Sequence, residues 1–326
     1  MDRINFTVNG ERFSLTGTEV SPHTTLNDYI RNFLQLHGTK AMCHEGGCGA
    51  CVVSVAQVHP VTKEKEIFAV NSCLVHILSC HDWDITTVEG IGNRKDGYHP
   101  IQDRLATFNG TQCGYCTPGW VMNMYSLSTA TKNLTTRQVE DSFGGNMCRC
   151  TGYRPILDAF KSFATDTDPD LQNKLQDLED LHIKRCAKKC TRKCSTSDDE
   201  WCVIEDKQGS LMQLHTGAGR WYKAFSVQDV FKVLAREGTN SYRLVAGNTG
   251  RGVYPLKVEP KILIDISSIE DLKLTNSDEN LILGAGVSLS EAMRTFQQWS
   301  KKYADFEYLA TLYDHLDLVA HVPVRN

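Results

Sequence analysis

Hydrophobic residues at the start of the chain occupy every second position. Ile4, Phe6 and Val8 alternate with polar residues, and the pair Asn9-Gly10 follows them directly. This alternation is typical of a strand with one buried face, and an Asn-Gly pair favours a two-residue turn. The pattern predicts a β-hairpin, and it differs from the continuous apolar run of a signal peptide.

Two further elements are predicted within residues 1–90. The apolar spacing over residues 26–36 indicates a helix, and residues 83–88 form a last strand before the pattern changes. A hairpin, a helix and a closing strand are typical of a β-grasp fold. We therefore expect a β-grasp domain over this range.

The hydrophobic pattern changes twice more along the chain. From Ile101 to Ala164 the spacing is helical, which predicts a small helical bundle within residues 91–165. Residues 166–215 are polar and rich in charge, and we interpret them as a linker. Residues 216–326 alternate between helix and strand patterns, as in an α/β domain. The predicted fold class is α+β with several domains.

Composition narrows the class of protein. A length of 326 residues suits two or three domains, and the net charge of −4 indicates no charged partner. No stretch is long and apolar enough to span a membrane. Without a signal peptide, the 13 cysteines are expected to be reduced thiols in the cytoplasm. The basic part of the linker lacks interleaved aromatic residues, so we expect no nucleic-acid binding.

The β-grasp range contains four cysteines with a recognisable spacing. They are Cys43, Cys48, Cys51 and Cys73. C-x4-C-x2-C followed by a distant cysteine is the plant-type pattern for a [2Fe–2S] cluster, and the glycines between the first three let backbone N–H groups approach it. A structural zinc site is the alternative, although zinc usually takes its cysteines from two short pairs.

A second set of four cysteines lies in the helical range. They are Cys113, Cys116, Cys148 and Cys150. Spacing alone would also suit a zinc ribbon. However, Thr117 is expected to cap a helix with Pro118 in its first turn after the first pair, and Pro155 predicts another helix start after the second pair. Helix N-termini favour anionic groups, so we expect a second [2Fe–2S] cluster between them.

The remaining five cysteines are interpreted differently. Cys80 continues an apolar run and is predicted to be a buried thiol. The other four lie in the linker, and a third metal site is the alternative to our reading of them as incidental cysteines in a solvated segment. They are Cys186, Cys190, Cys194 and Cys202.

A glycine-rich segment follows a predicted strand in the third domain. Residues 242–246 are an apolar strand, and residues 247–252 read Gly-Asn-Thr-Gly-Arg-Gly. Glycines directly after a strand allow backbone amides to surround a pyrophosphate. The spacing is not the G-x-G-x-x-G of dinucleotide-binding folds, so the segment alone is weak evidence for a nucleotide cofactor.

The segments around the second cysteine set resemble the xanthine dehydrogenase and aldehyde oxidase family. Residues 112–119 read Gln-Cys-Gly-Tyr-Cys-Thr-Pro-Gly, and residues 145–155 read Gly-Asn-Met-Cys-Arg-Cys-Thr-Gly-Tyr-Arg-Pro. The resemblance runs along the whole chain and implies a ferredoxin-like [2Fe–2S] domain, a helical [2Fe–2S] domain and an FAD domain. Because the chain stops within the last of these, we expect a truncated product or a partial sequence that binds flavin poorly.

The resemblance also implies a function for each site. Electrons would leave a molybdopterin site outside this chain and pass through the second cluster and then the first to FAD, with dioxygen or NAD as the acceptor. Gln112 and Cys150 match positions on the molybdopterin side. The family's first FAD-pyrophosphate loop corresponds to Leu244, Val245, Ala246, Gly247, Asn248, Thr249, Gly250 and Arg251, of which Gly250 and Arg251 depart from the commoner residues.

The parent enzyme and its partners follow from the same resemblance. The motifs look most like those of insect aldehyde oxidases, and a xanthine dehydrogenase is the alternative. The implied partners are a missing C-terminal molybdenum domain, or an equivalent chain, and a second copy in a homodimeric full-length enzyme. No catalytic residue is expected in this chain. A non-catalytic iron–sulfur or zinc scaffold that binds a partner chain is a hypothesis from a different class.

Overall fold

The first part of the chain folds around a five-stranded mixed sheet. The computed structural model describes residues 3–173, 209–254, 256, 258–277 and 280–325. The strands are β1 (Arg3–Val8), β2 (Glu11–Thr16), β3 (Val52–Val58), β4 (Lys65–Asn71) and β5 (Asp84–Thr86). Their order is β2-β1-β5-β3-β4, in which only β1 and β5 are parallel neighbours. This arrangement confirms the predicted β-grasp domain.

The local predictions for this sheet hold, with changes at element ends. β1 pairs with β2 up to Val8 and Glu11, and Asn9 and Gly10 form the turn with positive φ, as predicted. The helix expected over residues 26–36 is shorter. Helix α1 (Leu26–Asp28) passes into a single π-helical turn (Tyr29–Phe33), and the chain then leaves the helix through Gln35, which has a φ of 59°.

The second part is a bundle of short helices. They are α2 (Val88–Ile91), α3 (Pro100–Thr107), α4 (Thr117–Ala130), α5 (Thr136–Asp141) and α6 (Arg154–Lys161). Trp120 lies at the centre, with its ring stacked on Phe143 at a centroid distance of 5.0 Å and beside Phe160 at 6.3 Å. α2 follows β5 so closely that the strand predicted for residues 83–88 ends at Thr86, because Thr87 already occupies the cap position of α2.

The third part contains a four-stranded sheet with the order β6-β7-β9-β8. Its strands are β6 (Met212–Thr216), β7 (Gly219–Lys223), β8 (Tyr242–Val245) and β9 (Ile262–Asp265). β7, β9 and β8 run parallel, as expected for an α/β domain. Residues 212–215 were assigned to the linker, which was wrong. They form most of β6, in which buried Met212 and Leu214 alternate with more exposed residues over too short a stretch to stand out.

The remaining elements are short strands, turns and helices. The helices are α7 (Pro169–Asn173), α8 (Val227–Glu237), α9 (Gly250–Val253), α10 (Leu289–Lys302), α11 (Leu309–Val319) and α12 (Val322–Arg325), and the strands are β10 (Thr275–Ser277) and β11 (Leu281–Leu283). Short 3-10 turns occur at Ile77–Ser79, Glu270–Lys273 and Ala304–Phe306. Within the described part of the chain, no helix has the length and apolar character that crossing a membrane requires.

The first and third parts share one hydrophobic core. Trp221 on β7 and Leu263 on β9 are buried in the same cluster as Ile77 and Leu78 from the first part. The Trp221 ring meets the ring of His76 edge to face at 5.4 Å. Helix α8 covers the other face of the four-stranded sheet. The third part is therefore packed against the segment that follows Cys73.

Replacing Trp221 with alanine tests this shared core. Because the side chain is fully buried, Trp221→Ala should lower the free energy of unfolding by about 3–5 kcal/mol. Urea unfolding followed by far-UV circular dichroism measures the loss. The matched control is Phe231→Ala, since Phe231 is mostly exposed and its loss should cost no more than about 0.5 kcal/mol. Equal effects of the two changes would contradict the shared core.

Candidate metal centres and flavin loop

The structure brings the first cysteine set together at the end of the β3–β4 hairpin. Val52 pairs with Asn71, so Cys51 and Cys73 lie just outside the last rung of the ladder, with their sulfur atoms 3.3 Å apart. Cys43 and Cys48 come from the preceding loop and contact each other through their side chains. Apart from the half-buried Cys43, these cysteines are almost completely buried. Three of the four thiols are therefore shielded from water.

The protein environment favours thiolates at two of these positions. Burial raises the pKa of Cys43, but backbone N–H groups of Glu45, Gly47 and Cys48 outweigh it and hold that pKa below its usual value. Glu45 N lies 3.4 Å from Cys43 Sγ. The hydrogen bond shared by Cys51 and Cys73 lowers the pKa of Cys51 and raises that of Cys73. A metal ion bound by both sulfurs would replace the proton that they share.

The second cysteine set lies between two helix starts. Cys116 is the cap residue of α4, so the helix begins at Thr117 and the expectation that Thr117 caps it was wrong. Cys148 and Cys150 precede α6, which begins at Arg154. The side chains pair as Cys116 with Cys148 and Cys113 with Cys150. Burial raises the pKa of Cys116 to about 12, whereas Cys113 and Cys150 are exposed.

The sulfur atoms of each set are arranged as two close pairs. Among the described residues, the only three potential ligands whose donor atoms all lie within 4.8 Å of one another are His59, Glu66 and Glu291. No three sulfurs of either cysteine set are therefore that close. A tetrahedral zinc site would bring all four sulfurs to about 3.8 Å from one another. Two pairs suit two iron atoms better than one zinc ion.

The two cysteine sets meet through direct backbone contact. Met147 N, next to Cys148, donates a hydrogen bond to Cys48 O at 2.9 Å. A Cβ at Gly119 in α4 would overlap the carbonyl oxygen of Gly49, so only glycine permits this approach. Asn146 Nδ2 donates to the same oxygen at 3.3 Å. The loop of the first set therefore lies directly on the second set.

The glycine-rich segment forms a tight turn between β8 and α9. Leu244 and Val245 end the strand, and Gly247 and Asn248 both have positive φ. Arg251, in the first turn of α9, pairs with Glu259. A groove of about 630 Å³ opens beside Gly250. The backbone thus reverses at the position where the sequence predicted a pyrophosphate loop.

Several other predicted positions lie apart from these sites. Gln112 is on the surface next to Cys113. Cys80 is fully buried, as predicted, and burial raises its pKa. The linker cysteines, for which a third metal site was the alternative, lie outside the described residues; they are Cys186, Cys190, Cys194 and Cys202.

Sequence spacing did not indicate the cluster of His59, Glu66 and Glu291, which the fold assembles from distant segments. His59 Nε2 lies 2.6 Å from Glu291 Oε1. His59 Nδ1 accepts hydrogen bonds from the backbone of Val61 and Thr62, so Nε2 carries the ring proton. A histidine that binds a metal donates its second ring N–H instead. The contact between His59 and Glu291 is therefore a hydrogen bond that joins the β3–β4 hairpin to α10, and the cluster is not a metal site.

Three family descriptions match consecutive parts of the chain. Residues 6–80 match a "2Fe-2S iron-sulfur cluster binding domain", and residues 87–161 match a "[2Fe-2S] binding domain". Residues 214–326 match an "FAD binding domain in molybdopterin dehydrogenase". The fold and the sites thus define an iron–sulfur protein with a flavin domain of this type.

Related proteins agree with these matches. An indole-3-acetaldehyde oxidase of Arabidopsis thaliana is 36% identical over 98% of this chain, and an abscisic-aldehyde oxidase of the same plant is 35% identical over 99%. Each alignment covers 25% of the relative, so the chain spans about a quarter of their length. The chain belongs to the aldehyde oxidase and xanthine dehydrogenase family, as the sequence motifs indicated.

Solved structures give similar matches. Quinoline 2-oxidoreductase from Pseudomonas putida 86 is 29% identical, with a TM-score of 0.42 over 53% of this chain and 94% of that chain. The aldehyde oxidoreductase from Desulfovibrio gigas is 31% identical, with a TM-score of 0.44 over 56% of this chain and 18% of that chain.

The buried His76 makes stability depend on pH. Burial, together with the nearby Arg251, His23 and Arg243, lowers the pKa of His76 from 6.5 to about 3. Below pH 6.5 the unfolded chain binds a proton that the folded chain refuses, so stability falls as the pH falls. The free energy of unfolding of the wild type, taken relative to that of His76→Gln, should therefore fall by about 1.4 kcal/mol as the pH is lowered from 7.5 to 5.5.

Urea unfolding at the two pH values measures this difference. The exposed His37 offers the matched control, His37→Gln, which removes a histidine from the surface. If the difference in the free energy of unfolding between wild type and His76→Gln stays constant across this pH range, His76 does not resist protonation.

Proposed function

We propose that this chain is the electron-relay portion of a molybdenum hydroxylase whose parent activity is the oxidation of aldehydes to carboxylic acids. The observation that carries the proposal is the unbroken contact between sites. The second cysteine set touches the first through Met147 and Gly49, and the first touches the flavin loop through Leu74 and Asn248. Close contact matters because the rate of electron transfer falls steeply with distance.

The eight clustered cysteines would hold two [2Fe–2S] clusters. The first set is Cys43, Cys48, Cys51 and Cys73, and the second is Cys113, Cys116, Cys148 and Cys150. The fit is supported by the two close sulfur pairs in each set, because each iron of such a cluster takes two thiolates. Backbone N–H groups around Cys43 would stabilise the negative charge of a bound cluster.

The flavin loop, which runs from the end of β8 into the first turn of α9, would hold the pyrophosphate of FAD. Its residues are Leu244, Val245, Ala246, Gly247, Asn248, Thr249, Gly250 and Arg251. Two observations support this assignment: the reversed backbone at Gly247, and the open groove beside Gly250 that Arg243 and Tyr254 also line. The side chain of Asn248 is an exception, because it points into the first domain.

When bound, the clusters carry single electrons and FAD collects pairs of them. The protein would hold these groups in sequence and would exclude water from the first cluster, since Cys48, Cys51 and Cys73 are buried. The second site is more open. Cys113 and Cys150 are exposed together with the apolar side chains of Tyr115 and Met147.

This open face would contact a molybdenum-cofactor domain or an equivalent chain, with Gln112 and Cys150 on the molybdopterin side. Electrons would then enter at the second cluster and leave through the first. The names of the aligned relatives, which are aldehyde oxidases, support an aldehyde substrate. Dioxygen as the acceptor, with NAD as the alternative, and a homodimeric full-length enzyme are supported by family resemblance. A cytoplasmic location is supported by the free thiols of the described cysteines.

Metal analysis of anaerobically purified protein tests the relay. The chain should contain about four iron and four acid-labile sulfide, and dithionite reduction should give two distinct S = 1/2 signals in electron paramagnetic resonance. Cys73→Ser should remove only the first-cluster signal, because the first cluster loses one of its four ligands while the second set remains complete.

The matched control is Cys80→Ser, which changes a fully buried thiol that belongs to neither set. This variant should keep both signals. Zinc without labile sulfide in the wild type would refute the redox function and leave the scaffold hypothesis.

A further inference from the structure

The flavin loop is joined to the first cysteine set by the side chain of Asn248. Asn248 Nδ2 donates to Leu74 O at 2.8 Å and contacts His76 Nε2 at 3.1 Å. Leu74 directly follows Cys73. The side chain of Asn248 is buried, although it belongs to a loop on the edge of a separate sheet. One hydrogen bond therefore spans from the loop to the residue next to a cluster ligand.

These contacts use both donors of the Asn248 amide. Leu74 O can only accept, which fixes the nitrogen on that side, and His76 Nε2 accepts the second N–H because its pKa near 3 keeps the ring neutral. The backbone N–H of Asn248 is bonded to Ala246 O at 2.7 Å. The amide oxygen cannot bond a phosphate oxygen, since both are acceptors. The Asn248 side chain therefore bonds to the first domain and has no N–H left for a pyrophosphate.

Gly252, which directly follows the flavin loop, makes a second contact at the opposite end of the cysteine set. A Cβ on Gly252 would overlap the backbone of Glu45, with the carbonyl carbon and oxygen only 2.7 Å away. Glu45 lies two residues after Cys43, and its N–H faces the Cys43 sulfur. Gly250, in the same short helix, has no atom within 4 Å of the corresponding position. Close approach is therefore specific to Gly252.

We propose that Asn248 and Gly252 are positioning residues that fix the flavin loop against both ends of the first cluster site. This inference rests on the proposed relay. Asn248 anchors the loop beside Cys73, and Gly252 anchors it beside Cys43, so the two contacts prevent the loop from sliding or tilting on the cluster. In the step they would serve, each of the two reduced clusters would give up one electron, and FAD would take up these two electrons together with two protons from water.

The test uses the whole chain and three variants. Asn248→Gly removes the side chain without backbone strain, because glycine accepts the φ of 59°. Gly252→Ala forces Glu45 and the loop apart, and Gly217→Ala is the matched control, because it adds a methyl group at a position with no other atom within 4 Å. Hydrogen exchange of residues 73–76 and 43–46 reports the two anchors. Stopped-flow reduction of saturating FAD by the dithionite-reduced protein reports the relay.

Each anchor variant should loosen only the segment that its own contact holds. Asn248→Gly should speed exchange at residues 73–76 about tenfold, which corresponds to a loss of about 1.4 kcal/mol. Gly252→Ala should speed exchange at residues 43–46, whereas Gly217→Ala should leave both segments at the wild-type rate. Both anchor variants should slow the reduction of saturating FAD several-fold while the two cluster signals keep their intensities.

Two results would overturn the proposal. Unchanged exchange and unchanged FAD reduction in Asn248→Gly and Gly252→Ala would show that the contacts position nothing. Loss of FAD affinity in Asn248→Gly, with exchange at residues 73–76 unchanged, would make Asn248 a flavin ligand instead. Absence of iron from the wild type would refute the relay itself, but the exchange measurements need neither iron nor FAD and still decide whether the anchors exist.

Discussion

The loop of residues 43–51 is the constraint on which the other parts of the structure depend. It supplies three thiols to the first site, and the helical bundle and the flavin part each approach its backbone closely at a glycine. Gly119 of the helical bundle lies on Gly49, and Gly252 of the flavin part lies on Glu45. Contacts of this kind tolerate almost no displacement, because there is no flexible side chain between the two main chains to absorb it.

The periodic and motif-bearing parts of the chain could be predicted from sequence. Alternation at Ile4, Phe6 and Val8 with an Asn-Gly turn defines the first hairpin, since both signals are local. The first cysteine set can be recognised because its spacing reflects loop geometry, and the second because a helix start follows each of its pairs. Errors occur at element ends: the helix from Leu26 is cut short, and Met212 begins a strand inside a region interpreted as linker. There, packing against distant residues overrides local propensity.

The relations between domains could not be predicted. Asn248 and Leu74 are 174 residues apart, and His59 and Glu291 are 232 residues apart. No pattern within either segment indicates its partner. Gly252 is a further example, since a glycine in a short helix has several possible explanations and only the proximity of Glu45 selects one. The sequence describes the sites, but the contacts and the distances between them come from the fold.

The two cluster sites differ in their exposure to water, and this difference has a consequence for chemical damage. Cys48, Cys51 and Cys73 are sealed in the protein, whereas Cys113 and Cys150 face the solvent beside Tyr115 and Met147. Oxidants and chelators reach exposed thiolates first. A polypeptide that covers this face would therefore act as a shield as well as an electron source, and a chain released from it would lose its outer metal centre before its inner one.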